Sequence, residues 1–430
     1  MAEPITRFSQ WFSDYPQAEE AFCSTEGLGW TALGTGLVGA VGGAYLGSKA
    51  GGWKGALAGL ALGGGMGAFG GSEAHWYLCQ NRQYERNELI LQNAKTQAQD
   101  PTNPKKPLLH FVDLSPANRK NGTIILLHGF GANINVIPPE FNELAKTYEV
   151  IAVDLPGHGQ SGFMQLDEGM SNQEKSLAMA DVVNDFLITE LGLTPEDKTL
   201  LIGHSMGGLI AQMMIAKNHE QNPEAQEELY DKFAMFNSLA STGEKISVPL
   251  FISAAALPAT LNKRLGAPPL AMPSVLDQYI TRMAFQKFGY TDTSYLAPQL
   301  ITDFSAPYQD PAYILARAET AALIADVGDN PEMLNWSKEM WDEQITQPTL
   351  IVWTPNDAVV DPLIPLKLDE KKENAVSVEI PREDMGHNGF LSHPEISVAL
   401  IEDFMENKIP MTKGALFYYE SDKKYLTRGS

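Results

Sequence analysis

Four runs of this chain are apolar almost without a break: Thr123-Ile124-Ile125-Leu126-Leu127, Glu149-Val150-Ile151-Ala152-Val153, Thr199-Leu200-Leu201-Ile202 and Thr349-Leu350-Ile351-Val352-Trp353. A strand with one wet face alternates polar and apolar residues. A continuous run is what a strand needs when helices cover both of its faces. Residues 108–112 and 233–236 are shorter candidates, and 376–380 is a last, alternating one. Helical patterns lie between most of them, at 172–191, 205–217 and 393–405. Strand and helix in alternation predict an α/β fold, a mostly parallel sheet covered by helices. Ligands of such sheets bind at the carboxyl ends of the strands, so the chemistry is to be sought there.

The third run leads into Gly203-His204-Ser205-Met206-Gly207-Gly208 and then into an apolar helix. This is G-x-S-x-G at a strand-to-helix turn, where flanking glycines permit a sharp bend that lifts the serine hydroxyl clear of the sheet. His128-Gly129-Phe130-Gly131 follows the first run, and Asp154-Leu155-Pro156-Gly157-His158-Gly159-Gln160-Ser161 follows the second. Asn356-Asp357-Ala358 follows the strand ending at Trp353, and Gly386-His387-Asn388-Gly389 follows the last strand.

With these motifs in this order, residues 108 to 407 resemble the α/β-hydrolase fold family. The resemblance implies Ser205 as nucleophile, His387 as its base and Asp357 as the acid that orients the base, in the chain order of that family. It implies an oxyanion hole from the backbone N–H groups of Phe130 and Met206. The chemistry explains the residue types: a serine hydroxyl needs a base to take its proton, and a carboxylate fixes the useful imidazole tautomer. His393 reads as a helix-start residue, which favours His387 as the base, and Asp361 is the rival acid. His128, Gly129 and His204 sit beside the site and are taken as substrate-binding positions. A hydrogen-bonded scaffold role is open for His128, His158 and His204. Asp154 and Ser161 read as loop-pinning residues.

About 90 residues separate two core strands, where the family inserts a cap; residues 241–330 are assigned to this helical lid. Val275, Leu276, Tyr279, Ile280, Met283 and Phe288 recur near helical spacing. Tyr279 and Met283 are expected to face a flexible apolar substrate, and packing on the core is open for the rest of the stripe.

The N-terminal region has a different composition. Between Gly27 and Ser72 stand 18 of the 37 glycines, nine of them at strict four-residue spacing from Gly39 to Gly71. On a helix this column is a smooth groove that lets another helix approach closely. Lys49 and Lys54 divide the segment into uncharged stretches of 22 and 18 residues, near the roughly 20 that a membrane span needs. Residues 27–72 therefore read as a glycine-zipper helical hairpin inserted in a membrane. A soluble hairpin and a linker are the plainer alternatives. The zipper favours homo-oligomers, and the side of the membrane stays open. Cys23 and Cys79 flank the hairpin, either paired or free. Residues 1–26 precede it, and 73–107 read as an amphipathic helix over 75–99 followed by a linker with three prolines. Residues 108–240 and 331–409 form the two parts of the core. The tail, 410–430, shows only the aromatic run Phe417-Tyr418-Tyr419.

A formal charge of −22 argues against a nucleic-acid partner. Two cysteines exclude a disulfide scaffold or a structural zinc cluster. No nucleotide or metal signature is present, and serine hydrolysis needs no cofactor. The sequence thus predicts a membrane-associated serine esterase or lipase acting on a lipid-like ester. Amide, thioester or C–C bond hydrolysis, a membrane-inserting effector and a non-catalytic receptor are the alternatives.

Overall fold

The computed structural model describes residues 85–98, 106–115, 121–164, 169–221, 228–240, 274–290, 297–362, 372–411, 416–420 and 423–427, with Leu37, Ala40, Ile364, Lys367 and Leu368 besides. The chain divides into two compact units, Met1–Gln83 and Tyr84–Ser430. The glycine hairpin expected over 27–72, apart from Leu37 and Ala40, lies outside the described residues, as do Cys23, Cys79 and residues 241–273 of the insertion. Among the described residues no helix is long and apolar enough to cross a membrane.

Among the described residues, the second unit is built on one ten-stranded sheet. Its strands are β1 (Lys95–Thr96), β2 (His110–Asp113), β3 (Thr123–Leu127), β4 (Glu149–Val153), β5 (Thr199–His204), β6 (Tyr230–Phe236), β7 (Thr349–Trp353), β8 (Ala375–Glu379), β9 (Leu416–Glu420) and β10 (Lys423–Thr427). The spatial order is β1-β2-β4-β3-β5-β6-β7-β8-β9-β10. From β4 to β9 every neighbouring pair is parallel, and antiparallel strands close both edges. The mostly parallel α/β architecture is therefore as the apolar runs predict.

Both faces of the sheet are buried, by alternate residues of the same strands. Ile125, Leu127, Leu201, Phe233 and Ile351 pack with the first helical layer. That layer includes α2 (Asn172–Thr189) and α3 (Met206–Gln221). Ile124, Leu126, Leu200, Ile202 and Val352 pack on the other face against Phe404 and Leu400 of α8 (Pro394–Met405). Ser171 caps α2 with Glu174 in a reciprocal capping box, which satisfies two N–H groups that the helix leaves unpaired.

Two departures from the sequence reading have physical causes. The helix expected over 75–99 is, among the described residues, only α1 (Glu88–Asn93). Ala94 turns extended, and Lys95 and Thr96 pair with β2 as the edge strand. Ile90 is buried in the core, while Leu89 is 41% and Leu91 36% exposed; a single anchor sustains less than two turns. The last core strand was expected to alternate, yet β8 is buried along its whole length. It is not an edge: the aromatic tail continues the sheet as β9 and β10, consistent with the strand preference of Phe and Tyr.

Between β6 and β7 the described chain forms α4 (Ser274–Ala284), α5 (Pro298–Ser305), α6 (Pro311–Asp329) and α7 (Pro331–Glu339). Tyr313 of α6 donates to the Ser161 carbonyl, 3.1 Å away. Arg86, just ahead of α1, makes a two-pronged ion pair with Asp303 of α5, at 3.0 and 3.1 Å. Asn133, beyond the His128-Gly129-Phe130 loop, donates to the Asp303 carbonyl at 2.8 Å. The segment preceding the sheet and a helix of the insertion are thereby fastened to the loop beside Ser205.

Candidate active site

Ser205 stands between the end of β5 and the start of α3 with φ of 53°, in the left-handed region that costs an ordinary residue energy. The turn can close because Gly203 and Gly207, two residues to either side, lack a Cβ. A Cβ on Gly203 would lie 2.3 Å from Gly208 Cα, and one on Gly207 would lie 2.4 Å from the Leu127 carbonyl oxygen. The Ser205 N–H donates to the Phe236 carbonyl at 3.1 Å, which ties the bend to β6.

The loops after β7 and β8 bring the other two residues to this bend. His387 Nε2 lies 2.8 Å from Ser205 Oγ. His387 Nδ1 lies 2.9 Å from Asp357 Oδ2 and 3.1 Å from Oδ1. An ionised carboxylate only accepts, so Nδ1 carries the ring proton and Nε2 is left to accept from the serine hydroxyl. Asp357 also accepts from the Val359 and Val360 N–H groups, at 2.8 and 2.9 Å. Burial opposes the anion, but the neighbouring imidazole and these donors outweigh it and hold its carboxyl below the usual carboxylate range. The geometry is that of a nucleophile, a base and an orienting acid in line.

Met206 directly follows Ser205, and Phe130 follows Gly129 in the loop after β3. Met206 is the first residue of α3, whose leading N–H groups have no partner within the helix. Gly129 brings its loop so close that a Cβ there would sit 3.0 Å from Ser205 Cβ.

The neighbouring histidines are built into the scaffold. His204 Nε2–H donates to the His387 carbonyl at 3.0 Å, and its ring stacks on Phe390 at 5.6 Å. His128 donates from Nδ1 to the Gly129 carbonyl at 2.8 Å and accepts from the Leu155 N–H at Nε2, at 3.0 Å. Asp154 takes the Ile134 and Gln160 N–H groups and His110 Nδ1, and Ser161 Oγ donates to the Asp154 carbonyl. His393 is bonded to Asp384 at 3.2 Å and to Ser392 at 2.9 Å, closing the loop that carries His387. It is Asp357, and not Asp361, that meets His387. No described contact joins Tyr279 or Met283 to this group: Tyr279 packs beside Arg282, and Met283 is 46% exposed. On α4, among the described side chains, Asp277 and Arg282 are buried while Ile280 and Met283 are exposed. Among the described residues no group of three or more His, Cys, Asp or Glu is placed to hold a metal ion.

Asn237, at the end of β6, was not singled out in the sequence. Its side-chain amide donates to Asp357 Oδ2 at 2.9 Å. The available signal was position: a polar residue following the last residue of a parallel strand, in a sheet whose strand ends carry the chemistry.

Burial drives the pKa of both His158 and His204 down to about 3, so both are neutral in the folded protein. In the unfolded chain they titrate near 6.5. Below that pH the unfolded state takes up protons that the folded state refuses. Stability is therefore expected to fall as pH drops from about 6.5 toward 3, and thermal melts along this range check it. His158→Gln, which cannot charge, is expected to flatten the slope.

Residues 124–400 match the Alpha/beta hydrolase family. The chain belongs to that family. Among curated proteins it is 26% identical over 291 residues to a pimeloyl-[acyl-carrier protein] methyl ester esterase of Neisseria meningitidis, covering 68% of this chain and 79% of that one. It is 28% identical to the enzyme of the same name from Pectobacterium carotovorum, covering 64% and 91%. Among solved structures, 2-hydroxy-6-oxo-6-phenylhexa-2,4-dienoate hydrolase from Rhodococcus superposes with a TM-score of 0.53 at 18% identity, covering 73% of this chain and 98% of that one. A thermophilic esterase from Thermogutta terrifontis gives 0.51 at 20% identity, covering 73% and 98%. At these identities the structures speak for the fold alone. This α/β hydrolase has esterase-named relatives, and its catalytic type has to be argued from Ser205 and its neighbours.

Proposed function

We propose that this α/β hydrolase is a serine esterase that cleaves carboxylic esters through an acyl-enzyme. The observation that carries the reading is the continuous line from Ser205 Oγ through both nitrogens of His387 to Asp357, at 2.8 and 2.9 Å. His387 takes the Ser205 proton as Oγ attacks the ester carbonyl carbon. The tetrahedral oxyanion is held by the N–H groups of Phe130 and Met206. His387 then returns the proton to the departing alkoxide, leaving an acyl group on Ser205. Water, deprotonated by the same imidazole, attacks that acyl group and releases the acid.

The substrate we propose is an ester with a hydrophobic acyl chain. The esterase names of the curated relatives support this class, and so does the glycine-zipper segment at residues 27–72, read as a membrane hairpin that presents the hydrolase to lipid. Residues 241–330 act as its cap, with Tyr279 and Met283 offering apolar surface to the chain. The zipper also supports self-association.

Two experiments test these levels separately. Esters of p-nitrophenol with two to sixteen acyl carbons are expected to show faster turnover with the longer chains; no chain-length preference would contradict the lipid-like substrate. The full-length protein is expected to float with liposomes in a density gradient, and recovery at the bottom would contradict membrane association while leaving the esterase intact.

A further inference from the structure

Four donors converge on the Asp357 carboxylate, as many as its lone pairs can take. Oδ1 accepts from the N–H groups of Val359 and Val360, in its own loop. Oδ2 accepts from His387, its partner in the proposed reaction, and from the amide of Asn237 at 2.9 Å. Asn237 alone reaches in from the end of another strand. It is 3% exposed and has φ of 46°, a conformation that Asn tolerates better than most residues. Its backbone N–H donates to the Val352 carbonyl at 2.9 Å, which anchors it to β7. The same side-chain amide lies 3.2 Å from Thr354 Oγ1.

We propose that Asn237 is a positioning residue for the hydrolytic reaction, holding Asp357 Oδ2 in line with His387 Nδ1 and supporting the ionised carboxylate. The imidazole alone barely chooses between the two oxygens, since Nδ1 lies 2.9 Å from one and 3.1 Å from the other. Rotation about the last bond of an aspartate is soft. The two backbone donors hold Oδ1, and the Asn237 amide is the further group that holds Oδ2. The titratable groups around this carboxylate are His387, from the loop after β8, and His204, neutral at the end of β5. Without the amide, the anion loses a hydrogen bond and protonates at higher pH.

The proposal rests on the Ser205–His387–Asp357 reading, and the test separates the two. Full-length Asn237→Gly and Asn237→Asp are assayed with p-nitrophenyl butyrate across pH 4.5 to 9, beside a thermal melt. Glycine accepts the left-handed backbone at no steric cost and removes the side chain, its amide included. Its kcat is expected to fall about tenfold with KM unchanged, the size of one hydrogen bond to a charged group. Asn237→Asp sets a second carboxylate against Asp357. Its activity is expected to be lowest at pH 8 and to recover on acidification, when a shared proton restores a donor. A folded Asn237→Gly with the wild-type kcat would overturn the proposal. If the glycine variant does not fold, an aspartate variant whose relative activity is flat with pH would overturn it instead. Should the wild type neither turn over nor react with a fluorophosphonate, it is the serine-esterase reading that fails.

Discussion

Replacing Asp357 with Asn is expected to lower kcat by about 10⁴-fold while the protein stays folded. Both carboxylate oxygens are pure acceptors in this site. Oδ1 faces two backbone N–H groups and Oδ2 faces His387 and Asn237. An asparagine must put its NH₂ on one side or the other. Turned toward Oδ1, it opposes the Val359 and Val360 N–H groups. Turned toward Oδ2, it makes His387 accept at Nδ1, which moves the ring proton to Nε2. Nε2 then has no lone pair for the Ser205 hydroxyl. Steady-state kinetics of Asp357→Asn beside a thermal melt check this. A loss of less than tenfold would mean that Asp357 does not set the tautomer.

Gly207→Ala is expected to destabilise the fold by about 3 kcal/mol or more, the upper end for overpacking a tight site. The new methyl would fall 2.4 Å from the Leu127 carbonyl oxygen and 2.6 Å from that of His128. Both are backbone atoms, with no side chain free to turn away. The start of α3 would have to part from the end of β3, which separates the Met206 N–H from the Phe130 loop. Gly169→Ala meets nothing within 4 Å and is expected to leave stability unchanged. Denaturant titration of the two variants checks the contrast. Equal midpoints would mean that the elbow relaxes more readily than its contacts imply.

The core strands were legible because their sequence pattern has one physical cause. Thr123–Leu127, Glu149–Val153 and Thr349–Trp353 are covered on both faces, so apolar residues run from end to end and the strand limits coincide with the runs. Ser205, His387 and Asp357 were legible because each follows a core strand, and the structure brings the three together. What escaped depends on contacts distant in sequence. β1 and β9 are strands because an edge of the sheet lies beside them; two residues such as Lys95 and Thr96 carry no pattern of their own. On α4 the apolar spacing gave no sign of Asp277, which is buried and pairs with Arg317, while Ile280 and Met283 are exposed. Asn237 escaped because its partner, Asp357, is 120 residues away. His204 and His128 lie near the serine, and only their hydrogen bonds show them spent on the His387 and Gly129 carbonyls.

The central claim is that Ser205 is an activated nucleophile. The most direct measurement is covalent labelling of the full-length protein by a fluorophosphonate, beside Ser205→Ala. The account predicts stoichiometric labelling of the wild type, with the adduct mapped to Ser205, and none of the variant. A folded wild type that stays unlabelled, or equal labelling of both proteins, would contradict it.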